Sequence, residues 1–172
     1  MEIRLLTVKD GAAAKIPNEA FELFGRLIVS RTNDTWTHRE VVFDETTQQT
    51  FPEENYQIEE LLSKGFVVGA FDETSCVGVA IFEDDWLKYA YLSDLKVAAS
   101  YRGKGIAGQL IDFGLQEAKK KGYQGIWTIG QDNNLGACRF YLKSGFVIGG
   151  LDTQIYKHTA QEGKANIHFY LE

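Results

Sequence analysis

A mixed α/β fold is predicted from three features of the chain. Apolar, strand-like runs recur through residues 66–97, an apolar pattern at helical spacing runs from Gly105 to Lys121, and short strand and helix signals then alternate to the C-terminus. The 172 residues suffice for one buried core and are too few for two comfortable ones. No internal repeat, low-complexity tract or Pro/Gly-rich linker marks a boundary, so residues 1–172 are expected to form a single domain.

The elements follow in order. Residues 2–8 open on alternating polarity and read as a first strand. Pro17 at a helix start, with Ala20, Phe21, Phe24 and Leu27 at helical spacing, predicts a helix to about Ser30, although Gly25 sits inside it. Residues 31–50 are polar and carry no clear period. Residues 53–64 read as a short acidic helix closed by Gly65. The runs 66–71 and 77–82, joined by Asp72-Glu73-Thr74-Ser75, predict a hairpin, and residues 89–97 a further strand. From Gly105 to Lys121 the residues Ala107, Leu110, Ile111, Gly114, Leu115 and Ala118 line one helical face, with Lys119, Lys120 and Lys121 at its negative end and Gly122 as the stop. Residues 126–129 form a short strand, 134–144 a helix capped by Gly145, and 146–148 and 167–171 two more strands.

Composition narrows the function. Hydrophobic residues make up 44% and charged residues 24%, ordinary for a globular protein. Net charge is −6 and the isoelectric point about 5.1, which disfavours a duplex nucleic-acid binder and favours a cationic small-molecule partner. Cys76 and Cys138 make no disulfide framework, and His38, His158 and His168 stand in no metal-ligand spacing, so no metal is expected. No apolar run approaches the ~18 residues of a membrane span. The N-terminus also lacks a signal-peptide pattern, so a cytoplasmic protein without a membrane partner is expected.

The informative segment is Arg102-Gly103-Lys104-Gly105-Ile106-Ala107, between a strand ending at Val97 and the long helix. Unpaired N–H groups and the positive dipole end make a helix start an anion site. Gly103 and Gly105 let backbone approach a diphosphate, and Arg102 and Lys104 add charge. The loop is not a Walker loop, which needs Ser or Thr after Gly103-Lys104. The string Gly103, Gly105, Gly108 is a weak dinucleotide fingerprint, because five residues separate it from Val97 and no acidic residue stands about 20 positions on. A tight turn that merely needs glycine stays open as the plain alternative.

The loop is followed by a strand and then by Asn134-x-x-Ala137-x-x-x-Tyr141-x-x-x-Gly145-Phe146. Together these motifs resemble the GNAT superfamily of acetyl-CoA-dependent N-acetyltransferases, with Arg102, Gly105 and Ala107 in the places of its R/Q-x-x-G-x-G/A pattern. The resemblance covers residues 66–150 and extends loosely to the N-terminal 65. Segments 86–92, 132–138, 145–152 and 169–170 are similar to the streptothricin acetyltransferase group in particular. That group places one carboxylate in the strand before the loop and one in the next strand. The matching positions here hold Ser93 and Ile129, which argues against streptothricin itself as acceptor.

The resemblance implies a mixed, mostly antiparallel sheet flanked by helices, acetyl-CoA as co-substrate, and transfer to a small amine acceptor, with a homodimer left open. It places the pantetheine along Leu95, Lys96 and Val97, where N–H groups at a bulge polarise the thioester, and the pyrophosphate on Arg102, Gly103, Lys104, Gly105, Ile106 and Ala107. Asn134 contacts the cofactor and also reads as an N-cap. Tyr141 is the implied general acid for the leaving thiolate, its phenol being protonated at neutral pH. The base is open between Asp94 and Glu83, while Asp84 and Asp85 read as a solvated turn able to draw in a cation. Cys138 has no paired histidine and is not a nucleophile candidate. A catalytically silent acetyl-CoA-binding module and a protein N-terminal or lysine acetyltransferase are the competing readings.

Overall fold

Glu73 and Thr74 close a two-residue turn between β4 (Gly65–Asp72) and β5 (Ser75–Glu83), with Glu73 at φ 53°. Both strands are near-continuous apolar runs buried on both faces, as expected of strands covered by helices on either side. The computed structural model describes all 172 residues and divides them into two units. The first comprises Met1–Glu19, Phe51–Ile126 and Glu172, the second Ala20–Thr50 and Trp127–Leu171.

In the first unit the strand order is β1-β4-β5-β6, with β1 at Glu2–Leu5 and β6 at Tyr89–Val97, every neighbour antiparallel. The first strand is shorter than expected. Thr7 caps a 3-10 turn at Val8–Asp10, and Asp10 completes the capping box while accepting hydrogen bonds from Arg4. Helix α1 (Ile58–Lys64) buries Ile58 and Leu61 with Val79 and Ile81 on one face of the sheet. Helix α2 (Ile106–Lys120) covers the other, where Gly78 approaches Leu110 and Ile106. Gly114 is required on that face, because a Cβ there would stand 2.1 Å from Cζ of fully buried Phe82. The Phe82 ring is in turn stacked on Phe66 at 4.8 Å. The acidic helix predicted from residue 53 starts only at Ile58, and Gly65 at φ 174° is the first residue of β4, not a left-handed cap.

The second unit overturns the helix predicted over residues 17–30. That stretch is β2 (Phe21–Thr32), paired antiparallel with β3 (Thr35–Gln49) through Asn33 and Asp34 at φ 49° and 61°, a type I′ hairpin turn. Alternation at Leu23, Gly25, Leu27 and Val29 outweighs the 3–4 spacing of Phe21, Phe24 and Leu27. Gly25 lies so close to α3 (Leu135–Lys143) that a Cβ would meet Leu135 Cδ2 at 2.5 Å. Strands β7 (Gly125–Gln131), β9 (Asn166–Leu171) and β8 (Val147–Asp152) lie in that order, and β8 pairs antiparallel with β9. Buried Asp132 ties this unit together, with Oδ1 accepting from Ala165 N at 2.9 Å and Oδ2 lying 3.1 Å from Arg26 Nε. No helix is long and apolar enough to cross a membrane.

Candidate active site

The first half of β6 is core and the second half is not. Ala90 and Leu92 are buried, whereas residues 93–97, including apolar Leu95 and Val97, are only half-buried. The pairing with β5 also breaks here. Ile81 faces Asp94 and Phe82 faces Leu92, so Ser93 is the extra residue of a β-bulge, two positions before Leu95. Because Phe82 belongs to the α2 side and Ile81 to the α1 side, Leu95 and Val97 point toward the α2 side and Asp94 and Lys96 toward the α1 side. The Ser93 hydroxyl donates to Ile81 O at 3.4 Å.

Beyond Val97 a 3-10 turn (Ala99–Tyr101) leads into the glycine loop. Gly103 and Gly105 adopt φ 75° and 78°, left-handed values that favour glycine, and a Cβ on either would meet nothing within 4 Å. The space beside the loop is therefore open. Gly105 is the N-cap of α2 and supplies no side-chain cap, which leaves the first N–H groups of a 15-residue helix directed outward. Arg102 Nε donates to Val97 O at 3.1 Å, and its Nη2 lies 3.4 Å from Glu19, whose carboxylate also accepts from Ala99 N at 2.6 Å. Lys104 Nζ rests 4.6 Å from the Tyr101 ring centroid. An exposed, uncapped, cation-flanked helix start preceded by glycines fits a diphosphate, which is the fit that acetyl-CoA requires.

On the α1 side of β6, Asp94 joins residues that sequence reasoning missed. Tyr56 donates its hydroxyl to Asp94 Oδ2 at 2.9 Å. Lys96 Nζ lies 3.3 Å from the same oxygen and 2.6 Å from Glu54, and 5.2 Å from the centroid of the Tyr56 ring. Burial pushes the Asp94 carboxyl above its usual range, against the opposing pull of Lys96 and the Tyr56 hydrogen bond. Burial and the Asp94 charge together hold the Tyr56 phenol protonated far above neutrality. The side chain of Lys96 is committed to these carboxylates, which leaves its main chain for the cofactor contact expected at that position. Glu83 ends β5, half-buried and paired with Gly65 and Tyr91. Asp84 is engaged by Lys121 at 2.9 Å and by the Tyr123 hydroxyl at 3.2 Å. Asn18 fastens the whole cluster by donating to Glu53, Glu54 and Pro52 O. Tyr56 was hidden by the helix predicted over its segment, and a tyrosine alone in an acidic run was the available signal.

In the second unit Asn134 caps α3, its side chain accepting from Ala137 N at 3.1 Å. Tyr141, half-buried on the same helix, packs its ring against Phe146 and Phe169 at 5.4 and 5.3 Å. Buried Cys138 has its thiol pushed up to about 12 by desolvation, which makes it inert. The structure thus gathers Asp94, Leu95, Lys96, Val97 and residues 102–107 in one unit and places Asn134 and Tyr141 on one helix of the other.

The bulged strand β6, the glycine loop at a helix start and the Asn134–Tyr141 helix accord with an N-acetyltransferase, and the chain belongs to the acetyltransferase (GNAT) family, whose model matches residues 32–146. Its sheet is the mixed, mostly antiparallel one expected. Within that family it is 30% identical over 155 residues to streptothricin acetyltransferase A of Bacillus subtilis strain 168, covering 90% of each chain. The crystal structure of a Bacillus anthracis protein, assigned as a streptothricin acetyltransferase and solved with acetyl coenzyme A, superimposes with a TM-score of 0.89 at 28% identity, over 99% of this chain and 98% of that one. Nourseothricin acetyltransferase shares the fold at a TM-score of 0.78 and 24% identity, over 99% and 96% of the two chains.

Proposed function

We propose that residues 1–172 act as one acetyltransferase domain that moves an acetyl group from acetyl-CoA to the primary amine of a small cationic acceptor of the antibiotic, amino-sugar or polyamine type. The observation that carries this reading is the half-uncovered end of β6 running into an uncapped glycine loop at the start of α2. Main chain at Leu95, Lys96 and Val97 supports the pantetheine arm, and residues 102–107 hold the pyrophosphate. Acetyl-CoA supplies the activated acyl group as a thioester. The acceptor ammonium first loses a proton to a base, for which Asp94 is the better placed of the two candidate carboxylates and Glu83 the second. The free amine nitrogen then attacks the thioester carbonyl, the carbon–sulfur bond breaks, Tyr141 gives its phenolic proton to the departing thiolate, and the proton shed by the newly bonded nitrogen passes to water, which reprotonates Tyr141. Asn134 orders the start of α3 beside the cofactor.

Net charge of −6 favours cationic acceptors. Release of free thiol from acetyl-CoA, measured with streptothricin, aminoglycosides, polyamines and amino acids, tests the reading. At least one cationic amine is expected to be acetylated, with kcat/KM falling as salt rises. Because Ser93 and Ile129 stand where carboxylates are expected, streptothricin is predicted to remain below about 10⁵ M⁻¹s⁻¹ in kcat/KM. Thiol release with none of these amines, or only with peptides, overturns the small-molecule assignment.

A further inference from the structure

The chain leaves the sheet at Val97 and must reach Gly103 in a fixed direction if the N–H groups beyond it are to converge on a diphosphate. Two ties run back to the sheet. Ala98 N donates to Val77 O on β5 at 2.9 Å, and the Tyr101 hydroxyl donates to Asp72 Oδ2 on β4 at 2.8 Å. Another tie comes from far away in sequence. Glu19 Oε2 accepts from Ala99 N at 2.6 Å and lies 3.4 Å from Arg102 Nη2, so one carboxylate oxygen joins the first residue of the 3-10 turn to the guanidinium just after it. An exposed ion pair by itself contributes little to folding stability, because both side chains are mobile. Glu19 differs in that its main chain is fastened. Beside it, Asn18 N donates to Glu53 Oε1 at 3.0 Å, and Asn18 Nδ2 donates to Pro52 O at 2.8 Å and to Glu54 Oε1 at 3.0 Å. Pro17 fixes φ just before. A carboxylate next to an anion site repels the ligand, so its presence there calls for a reason.

We propose that Glu19 is a positioning residue for acetyl-CoA, holding Ala99 and Arg102 so that the glycine loop meets the pyrophosphate already in shape. The inference rests on the pyrophosphate reading of residues 102–107 above and deepens it by naming what sets the loop. Arg102 Nε donates to Val97 O at 3.1 Å while Nη2 reaches Glu19, so two acceptors on one edge turn the guanidinium. A guanidinium left to rotate, on a turn left to fray, would have to be ordered by the ligand, and that ordering is subtracted from its affinity. Glu19 bears the cost in the folded chain instead. Its effect therefore belongs to ligands that carry the pyrophosphate and vanishes for one that lacks it, and it runs through Arg102. Repulsion of the diphosphate by the carboxylate acts in the opposite sense, which gives the two effects opposite signs on removal of the charge.

The test uses the full chain with acetyl-CoA and with S-acetylpantetheine, which keeps the thioester and the pantetheine arm but has no pyrophosphate. Glu19→Ala should raise the acetyl-CoA dissociation constant by about tenfold in calorimetry, while that of S-acetylpantetheine, followed by ligand-observed NMR, stays within about twofold. Glu19→Gln keeps an acceptor for Ala99 N and removes the charge that holds Arg102, so a rise of about threefold is expected. In an Arg102→Ala background the same Glu19→Gln change should have no further effect, because the two residues act as one unit. The urea midpoint of each Glu19 variant should stay at the wild-type value, since the pair is exposed. Tighter acetyl-CoA binding by Glu19→Gln would show the carboxylate to be only a repulsive neighbour. Unchanged affinity in Glu19→Ala, equal weakening toward S-acetylpantetheine, or additive effects of Glu19→Gln and Arg102→Ala would each overturn the inference and leave the pyrophosphate reading standing. A wild-type chain that binds S-acetylpantetheine as tightly as acetyl-CoA defeats both.

Discussion

Replacing Gly105 by valine separates two costs that usually arrive together. At φ 78° a β-branched residue meets backbone strain of about 1–2 kcal/mol. No clash adds to it, because a Cβ at this position has no atom within 4 Å. The variant should therefore fold, with a stability loss of that size in urea denaturation. Its effect on binding has another origin, since the added methyl groups would stand beside the first N–H groups of α2, the proposed diphosphate site. The dissociation constant for acetyl-CoA, measured by calorimetry, should rise about tenfold or more, equivalent to ~1.4 kcal/mol. Gly122 supplies a matched control, being left-handed at φ 95°, equally uncrowded, and just past the far end of the helix, roughly 25 Å away by the helical rise. Gly122→Val should cost similar stability and leave affinity unchanged. Unaltered affinity in folded Gly105→Val, or equal weakening in both variants, would refute the assignment of the loop.

Tyr141→Phe keeps the packing against Phe146 and Phe169 and should lower kcat by about 10²-fold with little change in acetyl-CoA binding; an unchanged kcat makes the phenol a packing group. Gly114→Ala drives a Cβ to 2.1 Å from the buried Phe82 ring and should destabilise by about 1–3 kcal/mol in urea, outweighing the helix-propensity gain; a neutral result would mean that the ring moves freely. Asp10 is held ionised by Arg4 and the Thr7 main chain, its carboxyl well below the usual range. A depressed folded-state value stabilises above the unfolded value and is lost as pH falls, so Asp10→Asn should cost about 1 kcal/mol at neutral pH and progressively less below about pH 4. A difference independent of pH would remove the charge from that account.

What could be read from the chain was what neighbouring residues decide among themselves. The β4–β5 hairpin, β6, α2 and α3 emerged with boundaries within a few residues, because alternation, turn residues and helical spacing act over short distances. The β2–β3 hairpin did not. Its first strand satisfies both periods, and the arbiter is Leu135, which needs a glycine at 25 and is 110 positions away in sequence. Asn33-Asp34 was a readable hairpin turn that the unclear period around it concealed. The glycine loop and the Asn134 cap were legible as contiguous motifs. The Tyr56–Asp94 hydrogen bond joins residues 38 apart, and a pattern within either segment carries no trace of it.

The extra residue in β6 changes how a lost carboxylate should be judged. Side chains alternate along a strand, so sliding a charge by one position ordinarily carries it through the sheet. At the bulge that rule lapses. Leu92 points to the α2 side, and Asp94, two residues on and facing Ile81, points to the α1 side. Residues two apart, which share a face in a regular strand, here lie on opposite faces. A comparison that carried an acid's direction along this strand by counting residues in twos would assign it to the wrong side of the sheet.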